Sequence, residues 1–593
     1  NESFNKDNEP RIKGRSIVYD EGITEIKKGV FTTCKKRDSC PPWQLSASKI
    51  NHDKTKKIIN YENAFLKVYD IPIMYFPKFF HPDPTVDRKS GFLIPSIKNS
   101  PKKSFISVPY FAALSQNKDM TLTPRFYSDN KFLLQTEYRQ NNKESSHIAD
   151  FGILEEKDQN SKTHLFYTYK KLINLSYFEE SNLTLNIEKT SNDTYLKGNK
   201  LASPLINNFN ILENNMIINL YSSDLSINSE IKIYENLDKS SHDRFEYIFP
   251  KVDIIKKISN RTMLDGNFLL KSNNFIRNYA TNIFEKVNIN NFIFNSNPKI
   301  TKSGFYNNYD FILKNVNSVG QKSNIYQEDD NFYFSGIFQF NSSLPLVKEK
   351  EEYLNIFKPK ISLKISPSHT KDLSTDDGKR LDVNNIYNID RLSFNDTIEG
   401  GISLTYGNEF SVLDQKKSRE VFSINLANNL RLEENEDLPR NNQIGSTTSN
   451  FFGEIKYSPN EFFKTKYNGS TRNNLTDINY ENLVAEIKIN NFFTTFDYLN
   501  DNYSTDKNTY LTNTTGFNLN ENNSLKFSTR ENKSSNLTEY YKLIYEYKND
   551  CLAASVEYNK DYYDDRDVKP EENILFKLTI IPLGETSSPN LKN

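Results

Sequence analysis

The stretch Phe132-Leu-Leu-Gln-Thr-Glu-Tyr-Arg139 decides the fold class, because its two faces differ in chemistry. Successive side chains of a β-strand point to opposite sides. One face therefore carries Phe132 and Leu134, whereas the other carries Glu137 and Arg139. Burying charge in the core of a soluble sandwich is costly, but charge is tolerated where a strand lines water. The stretch favours a β-barrel with a polar lumen.

The same alternation recurs along the chain downstream of residue 104. It is found in Leu183–Glu188, Leu525–Arg530, Leu552–Asn559 and Ile574–Ile580. Polar connections of uneven length, such as 141–146 and 433–450, separate the segments, and alternating short and long connections are typical of outer-membrane barrels. At roughly 19–20 residues for a strand with its connection, residues 90–593 predict on the order of 24–26 antiparallel transmembrane strands.

The composition agrees with a barrel. Aromatic residues make up 13% of the chain although hydrophobic residues make up only 36%, and a disordered chain would be poor in aromatics. No run of ~18 or more apolar residues exists, so no membrane-spanning helix is predicted. The 76 basic and 76 acidic side chains balance, which gives no charge footprint for nucleic-acid binding.

The run Ile71–Pro95 separates two differently patterned parts of the chain. Each of its prolines removes a backbone donor, so we expect no regular ladder to pass through it. These prolines are Pro72, Pro77, Pro82, Pro84 and Pro95. Residues 11–70 are patterned as short strands with turns such as Lys27-Lys28-Gly29. We predict an all-β N-terminal domain over 1–88, whose abrupt start suggests missing strands, and the barrel over 89–593.

No arrangement of residues predicts an enzyme, a metal site or a cofactor site. The six histidines are scattered, and no phosphate loop or nucleophile elbow is present. The cysteines are Cys34, Cys40 and Cys551. They are compatible with buried thiols or, in an oxidising compartment, with a disulfide. Cys-x5-Cys without nearby histidines is a poor zinc pattern.

Two further groups of residues are each open to two interpretations. Pro109 and Pro124 lie in segments patterned as strands, where each deletes a ladder hydrogen bond. They mark either ordinary strand ends or strands that are kept weakly bonded. The second group is either packing between domains or an apolar portal at membrane level. It comprises Tyr75, Phe76, Phe79 and Phe80.

Several stretches of the sequence share their residues with one family. They include Phe31-Thr-Thr-Cys34, Pro42-Trp43-Gln-Leu-Ser-Ala47, Ile71-Pro-Ile-Met-Tyr-Phe-Pro77, Arg88-Lys-Ser-Gly-Phe-Leu-Ile-Pro95, Asp193-Thr-Tyr-Leu196 and the run 384–407. These stretches resemble the lipopolysaccharide-assembly outer-membrane proteins of the LptD (OstA) family. The resemblance implies the end of a periplasmic β-jellyroll followed by a 26-stranded outer-membrane barrel. It implies assembly of lipopolysaccharide into the outer leaflet through a lateral gate between the first and last strands.

The resemblance also implies partners and site residues. The partners are an LptE-like lipoprotein plug in the lumen, a periplasmic LptA-like bridge protein, lipopolysaccharide as cargo and the barrel-assembly machinery. Pro109 and Pro124 match the gate prolines of the family in context and spacing. Cys34 and Cys551 match a disulfide pair, whereas Asp550 stands where the family has an adjacent second cysteine. Cys40 is left unassigned and could compete for Cys34.

Two roles complete the interpretation. The resemblance favours the lipid portal for the aromatic group at residues 75–80. Ile574–Ile580, with Phe576, Leu578 and Ile580 on one face, is predicted to be the closing strand and its assembly signal, paired with the strand around Phe105–Leu114. The alternative function is a large porin or gated nutrient-uptake channel. A receptor would need an N-terminal plug of globular size, and a porin would need neither strand prolines nor a disulfide between domains.

Overall fold

The computed structural model describes residues 11–35, 41–83, 90–93, 95–99, 104–240, 243–258, 264–367, 371–376, 378–392, 394–503, 507–562, 564 and 569–580. Six strands form an N-terminal sheet. They are β1 (Arg11–Lys13), β2 (Ser16–Asp20), β3 (Ile23–Thr32), β4 (Trp43–Asp53), β5 (Ile58–Val68) and β6 (Ile71–Pro82). The order across this sheet is β1-β3-β4-β5-β6, and β2 also pairs with β3.

A second sheet contains every later strand. Its first half comprises β7 (Gly91–Phe92), β8 (Ser96–Asn99), β9 (Phe105–Ser107), β10 (Tyr110–Ser115), β11 (Lys118–Tyr127), β12 (Phe132–Asn141), β13 (Ser145–Glu155), β14 (Lys162–Leu172), β15 (Glu180–Thr190), β16 (Ile211–Tyr221), β17 (Leu225–Asn236), β18 (Phe245–Ile258), β19 (Gly266–Tyr279), β20 (Ile283–Ser296), β21 (Lys299–Ile300) and β22 (Tyr306–Gln321). The short helix α1 (Tyr195–Asn199) lies between β15 and β16.

The second half of this sheet comprises β23 (Asn331–Ser343), β24 (Leu346–Lys350), β25 (Tyr353–Ser366), β26 (Gly401–Asp414), β27 (Arg419–Arg431), β28 (Phe451–Tyr457), β29 (Phe463–Thr471), β30 (Ile478–Ile489), β31 (Phe492–Asp501), β32 (Asn508–Asn518), β33 (Asn523–Asn532), β34 (Leu537–Lys548), β35 (Leu552–Asp561) and β36 (Glu571–Ile580).

The second sheet closes on itself as an antiparallel barrel, because β36 pairs with β8. Some of its segments belong to one barrel strand. β7 with β8 forms the first barrel strand, and β9 with β10 forms the second, since both members of that pair bond to β11. β21 and β24 only extend the hairpins of β22 and β25. The barrel therefore has 26 strands, which confirms the predicted fold class and the predicted range of 24–26.

The barrel wall is apolar outside and polar inside, as β23 illustrates. Phe332 and Phe334 are 69% and 60% exposed on the outer face, whereas Ser335 and Gln339 are buried on the inner face. An outward apolar band around a closed barrel is the requirement for spanning an outer membrane. In the part of the chain that the structure describes, no helix is long and apolar enough to cross a membrane.

The N-terminal sheet corrects two expectations. Lys27-Lys28-Gly29 is not a turn: β3 runs through it, and Lys28 takes a positive φ between the Lys27↔Lys49 and Gly29↔Ala47 pairs without a change of register. The first part of the proline-rich run also forms a strand, β6, which pairs with β5 along most of its length with one register shift. Because β6 is the edge of its sheet, half of its N–H groups need no strand partner, which is why prolines are tolerated there.

The boundary predicted at 88/89 lies between the two sheets. Residues 84–89 are outside the described part of the chain, so the assignment of 1–88 and 89–593 to two domains remains a prediction. The barrel end that carries the β34–β35 turn at 549–551 lies against the N-terminal sheet, and we name it the proximal end. The opposite end is the distal end.

Three connections at the distal end fold into the lumen. We name them the first insert (191–210), the second insert (367–400) and the third insert (432–450). In the first insert, Tyr195 and Leu196 are buried against Leu133 and Leu154 of the barrel wall. The other two share an apolar cluster with the wall that contains Ile386, Leu438, Ile444 and Phe452.

Candidate functional site at the barrel seam

The barrel closes through a short ladder, which we name the seam. Only three residue pairs join β36 to β8, namely Ile574↔Asn99, Leu575↔Lys98 and Phe576↔Ile97. On its other side β36 pairs with β35 through ten residues. Among the described residue pairs, the ladder from β36 to β8 ends at Phe576, and the sheet order places β7 as a further neighbour of β36. In the part of the chain that the structure describes, the seam is therefore a much shorter ladder than the one on the other side of the closing strand.

The position of the seam corrects one expectation. The closing strand was predicted to pair with the strand around Phe105–Leu114, but Ser96–Asn99 lies between them: β36 pairs with β8, and β8 pairs with Phe105–Ser107. The four-residue segment β8 is too short to show a period-2 pattern. It therefore could not be distinguished from a connection in the sequence.

Pro109 and Pro124 form one discontinuity beside the seam. Val108 and Pro109 interrupt the second barrel strand between β9 and β10. The ladder to β11 passes from Ser107↔Arg125 directly to Tyr110↔Leu122, so Pro124 lies opposite the gap. Pro124 has no N–H to donate across this gap.

The missing donor of Pro109 faces the first barrel strand. The N–H of Leu93 donates to the carbonyl oxygen of Pro109 at 2.8 Å. In an antiparallel ladder the N–H and C=O of one residue point to the same neighbour. Pro109 thus removes a bond between the first and second barrel strands, adjacent to the seam.

The N-terminal sheet packs against the proximal end of the last strands. Cys551 and Leu552 are buried in the core of that sheet, and Leu578 packs against it. The hydroxyls of Tyr69 and Tyr547 are hydrogen-bonded. The N–H of Lys35 donates to the Asp550 carboxylate at 3.0 Å. The proximal half of the closing strand therefore lies beside the core of the N-terminal sheet.

A disulfide between Cys34 and Cys551 joins the two parts covalently. Both half-cystines are fully buried. Asp550, which replaces the second cysteine of the family pattern, accepts its hydrogen bond from the residue next to Cys34, so it supplies a polar contact at the same junction. Cys40 lies outside the described residues.

The four aromatic residues of the predicted portal divide between the faces of β6. Phe76 and Phe79 pack against the sheet core, with stacked rings whose centroids are 4.9 Å apart. Tyr75 and Phe80 are 49% and 40% exposed on the other face. Successive side chains of a strand point to opposite faces, which is why the neighbours Tyr75 and Phe76 lie on different faces of β6. One apolar face is therefore continuous with the core that reaches Leu578 and the seam.

A buried histidine completes this core. The Tyr61 hydroxyl donates to Nε2 of His81 at 2.7 Å, and Nδ1–H of His81 donates to the Pro82 carbonyl. Burial lowers the pKa of His81 to about 4, because the charged ring would lose its hydration. His81 is therefore a neutral member of the aromatic core.

The N-terminal sheet should lose stability as the pH falls from about 6.5 to about 4. In this window His81 is protonated in the unfolded chain but stays neutral in the folded chain. Lowering the pH therefore reduces the free energy of unfolding, by up to about 3 kcal/mol. Emission of Trp43, the one tryptophan of the chain and fully buried in this core, reports the unfolding in urea. His81→Gln should flatten the pH dependence; an unchanged slope would contradict the assignment to His81.

The sequence did not indicate a buried ionic cluster that fixes the second insert. Glu399 accepts hydrogen bonds from Arg391 (2.6 and 2.7 Å) and Arg431 (2.6 Å), and lies 3.5 Å from Lys364. All four side chains are buried. Gly401 permits the approach of Arg431, since a Cβ there would lie 2.8 Å from its guanidinium. The resemblance at 384–407 marked this segment without giving it a role.

A closed 26-stranded barrel with an apolar outer band defines an integral outer-membrane protein. The comparison with known families makes this specific: the family described as LPS transport system D matches residues 161–522, more than half of the chain. The chain belongs to this family, LptD.

Individual relatives match shorter stretches. The LPS-assembly protein LptD of Pseudoalteromonas translucida is 29% identical over 187 residues, 30% of this chain and 24% of the relative. Those of Pseudomonas fluorescens and Pseudomonas entomophila are 30% and 32% identical over 163 and 166 residues, 26% and 27% of this chain. The matched stretches span 17% of each of these two relatives. The chain thus spans less than a quarter of the relatives' length.

Solved structures share only a general likeness with the chain. The siderophore receptor PirA of Pseudomonas aeruginosa covers 85% of this chain, and 82% of PirA is matched, with 8% identity and a TM-score of 0.27. The ferric preacinetobactin receptor BauA of Acinetobacter baumannii covers 89%, with 84% of BauA matched, 6% identity and the same TM-score. A likeness at this TM-score carries no argument about function.

Proposed function

We propose that this chain assembles lipopolysaccharide into the outer leaflet of the outer membrane and releases it sideways through the seam. Membership of the LptD family supports the cargo. The observation that carries the route is the short seam, which has three described pairs between β36 and β8 and is placed against the N-terminal sheet. A lipid with a large sugar head needs a path whose acyl side and sugar side differ, and a barrel seam has lipid on one side and a polar lumen on the other.

In this proposal the N-terminal sheet is periplasmic and receives the lipid. Phe76 and Phe79 offer an apolar face for acyl chains that leads to Leu578 at the closing strand. Tyr75 and Phe80, exposed on the opposite face, complete the aromatic portal at membrane level. The proposed partners are an LptA-like bridge protein, which delivers the lipid, and an LptE-like lipoprotein, which enters the lumen from the proximal end. The chain itself has a transport role rather than an enzymatic one.

The closing strand has a second proposed role in assembly. Phe576 is 49% exposed on the outer face, and Leu578 packs against the N-terminal core. The side chain of Ile580 lies outside the described part of the chain. We propose that these residues form the signal read by the barrel-assembly machinery, which would act before the N-terminal sheet docks on Leu578.

Replacing both Pro109 and Pro124 by alanine should reduce lipopolysaccharide export severalfold without reducing the amount of folded barrel. Each alanine restores an N–H beside the second barrel strand, and a ladder bond stabilises by about 1 kcal/mol, so a movement of the first two strands that opens the seam becomes about fivefold rarer for each bond restored. Export is measured as newly made lipopolysaccharide at the cell surface, and folded barrel as heat-modifiable migration on gels.

Pro359→Ala is the matched control, because Pro359 also stands within a barrel strand, β25, but lies across the barrel from the seam. It should leave export unchanged. Unchanged export in the double variant would refute the gate. The alternative, a porin or gated uptake channel, predicts instead that small solutes flow through the purified barrel and that neither a small lipoprotein nor lipopolysaccharide co-purifies with it.

A further inference from the structure

A lysine of the first insert lies between two carboxylates at the distal end of the last strands. Lys200 directly follows α1, and its ammonium nitrogen is 3.5 Å from Asp561 and 3.6 Å from Glu571. Asp561 ends β35, Glu571 begins β36, and the two are directly opposed in the ladder. Like charges in this position repel. Lys200 therefore offsets a repulsion that the strand pairing itself creates.

One of these carboxylates also crosses the seam. Glu571 forms an ion pair with Lys98 of β8, and both side chains are largely buried, at 14% and 17% exposure. The chain of contacts runs from the first barrel strand through Glu571 to Lys200 and Asp561. We name these four residues the seam latch.

The first insert is anchored on the far side of the first two barrel strands. Arg125 of β11 donates to the carbonyl of Asn199 at 2.9 Å, and Tyr127 donates to its side-chain oxygen at 3.3 Å. Leu196 is buried against Leu133 and Leu154 of the following strands. The insert thus reaches from the third barrel strand to the last two, spanning the seam on the lumenal side.

We propose that the first insert is a strap that holds the distal half of the seam shut through the seam latch. The three described ladder pairs at 574–576 lie next to the latch, and the Lys98–Glu571 ion pair adds a further contact between β8 and β36. Release of lipid through the seam, as proposed above, requires the Lys98–Glu571 contact to break. The strap remains anchored on β11 and restores closure when Lys200 regains its carboxylates.

Hydrogen–deuterium exchange of the purified full chain in lipid nanodiscs tests the strap. Lys200→Ala should speed exchange of amides at 571–576 about three- to fivefold, because the latch adds stability to a seam that opens locally. Glu571→Gln, which leaves the insert intact, should give the same local increase, because it removes the carboxylate that both Lys98 and Lys200 contact. Raising the ionic strength should narrow the difference between the native chain and Lys200→Ala, since salt screens exposed ion pairs.

Lys197→Ala is the matched control. Lys197 belongs to the same insert but pairs with Asp238, away from the seam, at 2.9 Å. Its loss should leave exchange at 571–576 unchanged. Equal exchange in Lys197→Ala and Lys200→Ala would overturn the strap. The role in export rests on the proposed function, but the exchange experiment does not: a normal export result for the proline variants would refute the gate and leave the strap to be judged by exchange alone.

Discussion

Replacing Glu399 by glutamine should release the second insert from the lumen, at a cost of about 3–5 kcal/mol to its folded arrangement. Glutamine keeps the shape of the side chain but removes its charge. Arg391, Arg431 and Lys364 would then be buried cations whose shared carboxylate is gone. Removing one partner of a buried pair costs far more than the pair contributes, because the remaining charge has lost its water.

The loss should spread through both neighbouring inserts. Arg391 also donates to Ile386 within the second insert, and to Ser403 of β26 and Asn429 of β27, which join the insert to the barrel wall. Arg431 donates to the carbonyl oxygens of Gly400 and Ile444, one in the second insert and one in the third. One carboxylate therefore organises two inserts, and its removal should loosen them together while the 26-stranded ladder persists.

Limited trypsin digestion of the folded barrel measures this release, because Arg391 is fully buried in the native chain. Cleavage at Arg391 should become at least tenfold faster in Glu399→Gln. Glu409→Gln is the control: Glu409 pairs with Lys360 at 2.6 Å and Lys358 at 3.5 Å but is 39% exposed, and such pairs contribute about 1 kcal/mol or less. Equal protection of Arg391 in both variants would show that the cluster does not hold the inserts.

The barrel could be predicted from the sequence because its signal is local. Alternation such as that in Phe132–Arg139 places every side chain inside or outside without knowledge of any partner strand. The strand number follows from chain length once strand and connection lengths are known. Prediction failed where the environment is set by distant residues: Ser96–Asn99 is a barrel strand only because β36 lies beside it.

The same distinction applies to the candidate site. Pro109 and Pro124 could be singled out because a proline in a strand-like segment breaks a local rule. That both lie at the same gap in the ladder could not be predicted, because it depends on the register between two strands. Glu399 and its cations could not be found, since a buried ionic cluster and a solvated loop have the same polar composition. Apolar residues such as Ile386, Leu392 and Ile398 in an otherwise polar connection were the available signal.

Replacing Cys551 by serine should destabilise the docked N-terminal sheet by about 2–4 kcal/mol, the usual range for a disulfide. The chain-entropy relation gives about 6 kcal/mol for a separation of 517 residues. That value assumes a flexible loop, whereas here the intervening chain is a folded barrel that already restricts where Cys551 can lie. The smaller range is therefore the expectation, and it adds to the cost of placing a serine hydroxyl in an apolar core.

Trp43 makes this measurable, because it lies in the same buried core as both half-cystines and is the one tryptophan of the chain. Its emission in urea should show the sheet of Cys551→Ser unfolding at lower denaturant, while heat-modifiable migration of the barrel stays unchanged. Asp550→Ala removes the 3.0 Å hydrogen bond that the Lys35 N–H donates to the Asp550 carboxylate, and should cost about 1 kcal/mol.

Cys40→Ser distinguishes the Cys34–Cys551 disulfide from the alternative in which Cys40 pairs with Cys34. If Cys34 pairs with Cys551, the Trp43 transition of Cys40→Ser should match that of the native chain, and adding reductant should shift both equally. If Cys40 were the partner, Cys40→Ser would lose stability and Cys551→Ser would not. Since Cys551 lies at the turn between β34 and β35, the first result would mean that the sheet is fixed to the barrel two strands from the seam, where a rigid junction can direct a lipid toward the closing strand.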